Sequence, residues 1–142
     1  MQSTLMKLHG DLFAQLGRLS QLTEQAAPAA ESIADCRLQM TRASAACTRY
    51  LELDAYPRLL EALPDDEAAP IRALRAEASA LRAISSRHVA DWPIESVVRD
   101  WPRYCLASRV MRAAMRHQIG AEKRLLHPLL DWLDIIPQSQ AA

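Results

Sequence analysis

From Glu31 to Tyr56 the chain runs without a Gly or a Pro, and its 142 residues contain only three glycines, Gly10, Gly17 and Gly120. So little glycine leaves no loop able to cradle a phosphate, which argues against P-loop and dinucleotide-binding folds. Ala and Leu fill the sequence instead, aromatic residues make up 5%, and there is a single Phe. Such residues favour helices over β-sheets, so the expected fold class is all-α.

A chain of this length can bury one core, and one domain is the expectation. Seventeen basic and seventeen acidic residues give zero net charge, so no global field draws the protein to nucleic acid or to an anionic membrane. No apolar run of spanning length occurs, and no membrane association is expected. Cys36, Cys47 and Cys105 are odd in number and far apart, which signals neither a disulfide framework nor a cysteine-based zinc site and suits a reducing, cytoplasmic setting.

Apolar spacing divides the chain into four long helical segments. Ser3 to Glu24 carries Leu5, His9, Leu12, Leu16 and Leu19 at steps of three and four, the stripe of a core-facing helix. After a connector around Pro28, Glu31 to Leu63 reads as a second helix, kinked or restarted at Pro57. Pro64 to Glu67 is a loop whose acidic residues suit a helix start. The third helix spans Glu67 to His88, with Ile71, Leu74, Ala78, Leu81 and Ile84 or Ser85 facing inward. Two Trp-Pro steps, Trp92-Pro93 and Trp101-Pro102, bracket the turn into the fourth helix. That helix runs from Pro102 to Ile135, with Leu106, Val110, Ala113 or Ala114, His117, Ala121 and Leu125 as its apolar face. Short connectors between helices of similar length make an antiparallel up-down-up-down four-helix bundle over 1–137 the expected architecture, followed by a polar tail over 138–142.

Two histidines interrupt apolar stripes, His9 in the first helix and His117 in the fourth, and a buried imidazole needs a partner. Glu52 precedes Tyr56-Pro57-Arg58-Leu59-Leu60, and Glu122 follows His117 by five residues, ahead of Leu126-His127-Pro128-Leu129-Leu130. In these features the chain resembles the hemerythrin-like (HHE cation-binding) family over nearly its whole length. The resemblance implies a four-helix bundle whose members hold a di-iron centre with five His and two carboxylates. His9 matches the first-helix His, Glu52 the acidic residue closing the second helix, and His117 and Glu122 the fourth-helix His and carboxylate. Cys47 and Thr48 stand where the second helix should supply a His, and Leu74 and Ala78 mark the third helix, which supplies none.

The surviving set is His9, Glu52, His117 and Glu122, too few for two irons. It leaves two alternatives: a reduced site for a single Fe, Zn or Mn ion, or core histidines hydrogen-bonded to Glu52, Glu122 or Thr48 with no cofactor. Cys47 reads as a thiolate ligand, a redox sensor or a small buried hydrophobe. Arg109, Arg112 and Arg116 form a basic ridge read as a solvated face, and His127 reads as a surface residue. Trp92, Trp101 and Trp132 could cap one bundle end or meet a partner. No catalytic set emerges from the spacing, so the expected function is a non-catalytic binding or regulatory module that engages a protein partner or a second copy. The alternative is a metal-binding sensor or storage protein.

Overall fold

The computed structural model describes residues 1–136 and is helical throughout, with no strand among them. The expected tail over 138–142 lies outside the described residues. Helix α1 spans Gln2–Thr23 and buries Leu5, His9, Leu12, Leu16 and Leu19, the stripe read from the sequence. Helix α2 covers Ala30–Tyr50, passes into a π-helical turn over Leu51–Ala55, and continues as α3 over Tyr56–Ala62. Pro57 accounts for the π turn. Proline lacks an N–H, and its ring crowds the carbonyl four residues back, so a widened turn upstream lets the helix continue. Cys47, Leu51, Ala55, Tyr56 and Leu59 stay buried across the junction.

Helix α4 spans Asp65–Asp91, longer at both ends than expected, with Asp65, Asp66 and Glu67 in its first turn complementing the helix dipole. It buries Ala68, Ile71, Leu74 and Ala78 but nothing beyond. Leu81 and Ser85 are only partly covered, and Ile84 points to solvent. A short α5, Ile94–Arg99, fills the space between the Trp-Pro steps. Trp92 leaves helical geometry, as a residue before proline should, whereas Trp101 opens α6 and Asp100 takes the non-helical position instead.

Helix α6 runs unbroken over Trp101–Ile135. Its buried face differs from the expected one. Leu106 and Val110 are 65% and 72% exposed, while Tyr104, Met111, Met115, Ile119, Leu126 and Leu130 point inward. Two apolar files run along this helix, and the bulkier one fills the core even though it also carries Ser108, Arg112, Gln118 and Glu122 inside. Arg112, placed by its spacing on a solvated ridge, is therefore a buried residue.

Helix α1 packs on α2 and α6, and α4 packs on α6, whereas α2 and α4 make no comparable contact. The core has three parts. One gathers Leu5, Leu51, Tyr56, Leu59, Ile71 and Leu126; a second joins Leu12 and Leu16 to Met111, Met115 and Ile119; a third holds Leu19, Ile33, Cys36, Val97, Trp101 and Tyr104. In the third, Trp92 and Trp101 flank Tyr104 with ring centroids 5.5 and 6.0 Å away. Trp132 is not part of that cluster: it is 38% exposed near the last turn of α6, so the three tryptophans form no common cap. No helix among the described residues is long and apolar enough to cross a membrane.

Candidate metal centre

The first inward-facing polar group is His9, fully buried on α1. Its Nε2 lies 2.9 Å from Glu122 Oε1 on α6, and its Nδ1 lies 3.2 Å from His127 Nε2. The other carboxylate oxygen of Glu122 accepts a 3.0 Å hydrogen bond from the Gln118 amide, one helical turn earlier. With neutral His9, Nε2–H donates to the carboxylate and Nδ1 accepts from His127, a tautomer assignment consistent with all three contacts. His9 and Gln118 thus converge on one buried acidic residue, with His127 behind the His9 ring.

Cys47 completes the cluster from α2. One donor atom each from His9, Cys47 and Glu122 lies within 4.8 Å of the others, and all three residues are buried. Burial, reinforced by the Glu122 carboxylate, pushes the Cys47 thiol up to about 12, so without a cation it stays protonated and unreactive. Burial, the His9 ring and Lys123 hold His127 below the ordinary histidine range, against the opposing pull of Glu122.

A cavity of about 60 Å³ adjoins these groups, lined in part by Cys47, Tyr56, Gln118 and Glu122. The Tyr56 hydroxyl is buried in the wall with no hydrogen-bond partner. An unsatisfied buried hydroxyl costs about 1–3 kcal/mol, and the space exceeds what a single water needs, so the cavity suits a small polar occupant. Burial together with Glu122, Glu52 and Cys47 raises the Tyr56 pKa, keeping the phenol neutral.

Of the four residues proposed from sequence, His9 and Glu122 come together and the other two do not join them. His117 is exposed, one position off the buried face of α6. Glu52 lines the cavity, but its carboxylate is held by Arg75, whose Nε donates at 3.1 Å and whose Nη2 also pairs with it, with Arg82 at 3.9 Å. Two guanidiniums leave that carboxylate little charge to offer a metal. A di-iron centre of five His and two carboxylates therefore does not fit, because His117 is exposed, the Glu52 carboxylate is taken by arginines, and Leu74 and Ala78 of α4 carry no donor. A single ion fits the nitrogen, sulfur and oxygen donors of His9, Cys47 and Glu122. His127, read from sequence as a surface residue, is instead half-buried against His9, and Gln118 gave no signal because the expected inward face of α6 follows the other apolar file. No family model, curated protein or solved structure matches the chain.

Proposed function

We propose that the chain is a hemerythrin-like, antiparallel up-down-up-down four-helix bundle that serves as a non-enzymatic binding module, holding one divalent transition-metal ion at His9, Cys47 and Glu122 in place of a di-iron centre. The observation that carries this reading is the meeting of three buried donors from three helices within 4.8 Å. A thiolate, an imidazole and a carboxylate suit Zn²⁺ best, with Fe²⁺ next, while Mn²⁺ prefers oxygen donors. Three protein ligands leave one position open, where the ion would supply Lewis acidity to a small bound group. His127, bonded to the far nitrogen of His9, orients the ring, and Gln118 orients the carboxylate. Loading requires the Cys47 thiol proton to leave and the His9 proton to move from Nε2 to Nδ1, where it is donated to His127 Nε2, so uptake releases a proton and weakens in acid.

The topology has support in the contacts already described. The N-terminal amine meets Asp134 near the end of α6 at 2.7 Å, while Leu19, late in α1, packs with Trp101 and Tyr104, early in α6. The three free cysteines agree with a cytoplasmic setting.

Titration with Co²⁺ tests the ion directly. The account expects a thiolate-to-cobalt charge-transfer band in the near ultraviolet that is lost in Cys47→Ala and His9→Ala and retained in His117→Ala. A spectrum showing only hexaaquo cobalt, or an unchanged band in Cys47→Ala, contradicts it. A second reading has its own observation: His9, Glu122 and Gln118 already satisfy one another. On that reading the cluster only fixes helix register, and function lies in contact with a protein partner or a second copy.

A further inference from the structure

Where α2 and α4 stand apart, a cleft of about 610 Å³ opens down to α6. The buried stripe of α2 stops at Cys36 and resumes at Cys47, and that of α4 ends at Ala78 although the helix continues to Asp91. The two gaps face the same space. Its walls are mostly apolar, with Leu19, Met40, Val89, Met111 and Met115 among them. The volume lies within the range of small-molecule sites, and methionines adapt to an irregular apolar guest.

The charge of this cleft is one-sided. Arg37, Arg49, Arg82 and Arg112 line it, and no Asp or Glu does, in a chain whose net charge is zero. Arg37 is engaged, donating to the Trp92 carbonyl at 2.7 Å, and Arg82 leans toward Glu52. Arg112 is different. It is only 7% exposed, and its Nε donates to the Ser108 carbonyl and hydroxyl, both at 3.2 Å. Among the described residues its terminal nitrogens have no acceptor in the protein, and no carboxylate comes within ion-pair distance of them. Those nitrogens are not sealed in the core, since Tyr56 Oη is the one fully enclosed partnerless atom among the described residues. Arg112 is among the residues that line the cleft. Burial and the nearby Arg116 disfavour the charge on Arg112, with Tyr104, Cys105 and Glu24 opposing them, and a bound anion relieves the burial penalty.

We propose that this cleft binds a small organic anion, a monocarboxylate on an extended apolar body, with the carboxylate on the Arg112 guanidinium and the body along the methionine wall. Arg112 is the one buried guanidinium of the cleft, whereas Arg49 is exposed, and a single buried guanidinium suits a single charged head, which it can grip through two parallel hydrogen bonds. The predominance of apolar wall selects a ligand that is mostly hydrocarbon. This inference stands apart from the ion at His9, because its charged anchor, Arg112, lines the cleft and not the cavity beside Cys47, although Met115 lies in both walls.

Calorimetric titration with dodecanoate and with dodecan-1-ol, both below their aggregation limits, tests the assignment. Dodecanoate is expected to bind at least about ten-fold more tightly than the alcohol, the worth of a charge-assisted hydrogen bond. Arg112→Met should remove that preference while leaving alcohol binding in place, and Arg109→Met, at an exposed neighbour, should leave both unchanged. Ala45→Trp narrows the cleft from an exposed position and should weaken both ligands, which provides a second variant should Arg112→Met fold poorly. Equal affinities for acid and alcohol, undiminished dodecanoate binding in Arg112→Met or in Ala45→Trp, or no binding of dodecanoate to the wild-type protein would each overturn the proposal.

Discussion

Glu122 is buried with His9 on one oxygen and Gln118 on the other, so removing either neighbour changes how a charge survives in the core. In the metal-free protein, His9→Ala should cost about 3–5 kcal/mol, the usual penalty for stranding one member of a buried pair. His117→Ala, at an exposed position, should stay within about 0.5 kcal/mol of wild type. Urea unfolding measures both; equal losses would place His117 in the core and contradict the described face of α6. His88 offers a different test. Its ring stacks 6.1 Å from Tyr104, and burial first, then Arg37, push its pKa below 6.5, with Asp91 partly opposing. The unfolded chain therefore binds the proton more readily than the folded one. Stability contributed by neutral His88 is complete above about pH 6.5 and declines as pH falls toward the depressed folded value, levelling off below it. His127 titrates in the same direction, so His88→Phe should flatten the acid slope only in part. A His88 midpoint above 6.5 by proton NMR contradicts the placement.

At the level of elements, α6 decides what the sequence could reveal. Leu126→Ala, at a fully buried site, should cost about 2–5 kcal/mol, whereas Leu106→Ala should change stability by less than about 0.5 kcal/mol. Reversal of that order in thermal or chemical unfolding would restore the face expected from spacing. The stripe of α1 was legible because a single apolar file runs along it, with His9 as its lone polar member. Helix α6 carries two files, and hydropathy preferred the one without charges, which turned His117 inward and Arg112 outward. Glu122 was legible nonetheless, through its resemblance to a known carboxylate position, while Cys47, at the place where a histidine is missing, carries a thiolate ligand as one of three readings that spacing does not separate. Glu52 was misjudged for another reason: its partners Arg75 and Arg82 come from α4, and a contact across helices leaves no trace in local spacing. The π turn was half-visible, since Pro57 announced a disturbance but not that the helix would widen and continue.

For the whole molecule, the sequence pointed to an all-helical protein, and the described residues are helical throughout. Less visible was the uneven closure of the helices. Large residues fill the ends, around Tyr56 and around Tyr104, while Ser44 and Ala45 of α2 and Ser85 and Ser86 of α4 are too small to bridge the space between these helices. Small side chains favour helix formation without committing two helices to touch, and composition cannot distinguish these outcomes. The same spacing that leaves the cleft also leaves the smaller cavity beside Cys47, and the two share Ser44, Thr48, Arg82, Ser85 and Met115 in their walls. The central claim, one ion in place of two irons, rests on the three donors that meet beside that smaller cavity. Elemental analysis of protein purified without chelator tests it most directly. About one equivalent of zinc or iron per chain, lost in Cys47→Ala, is the predicted result; less than about 0.1 equivalent, with none taken up on adding Zn²⁺, would contradict it.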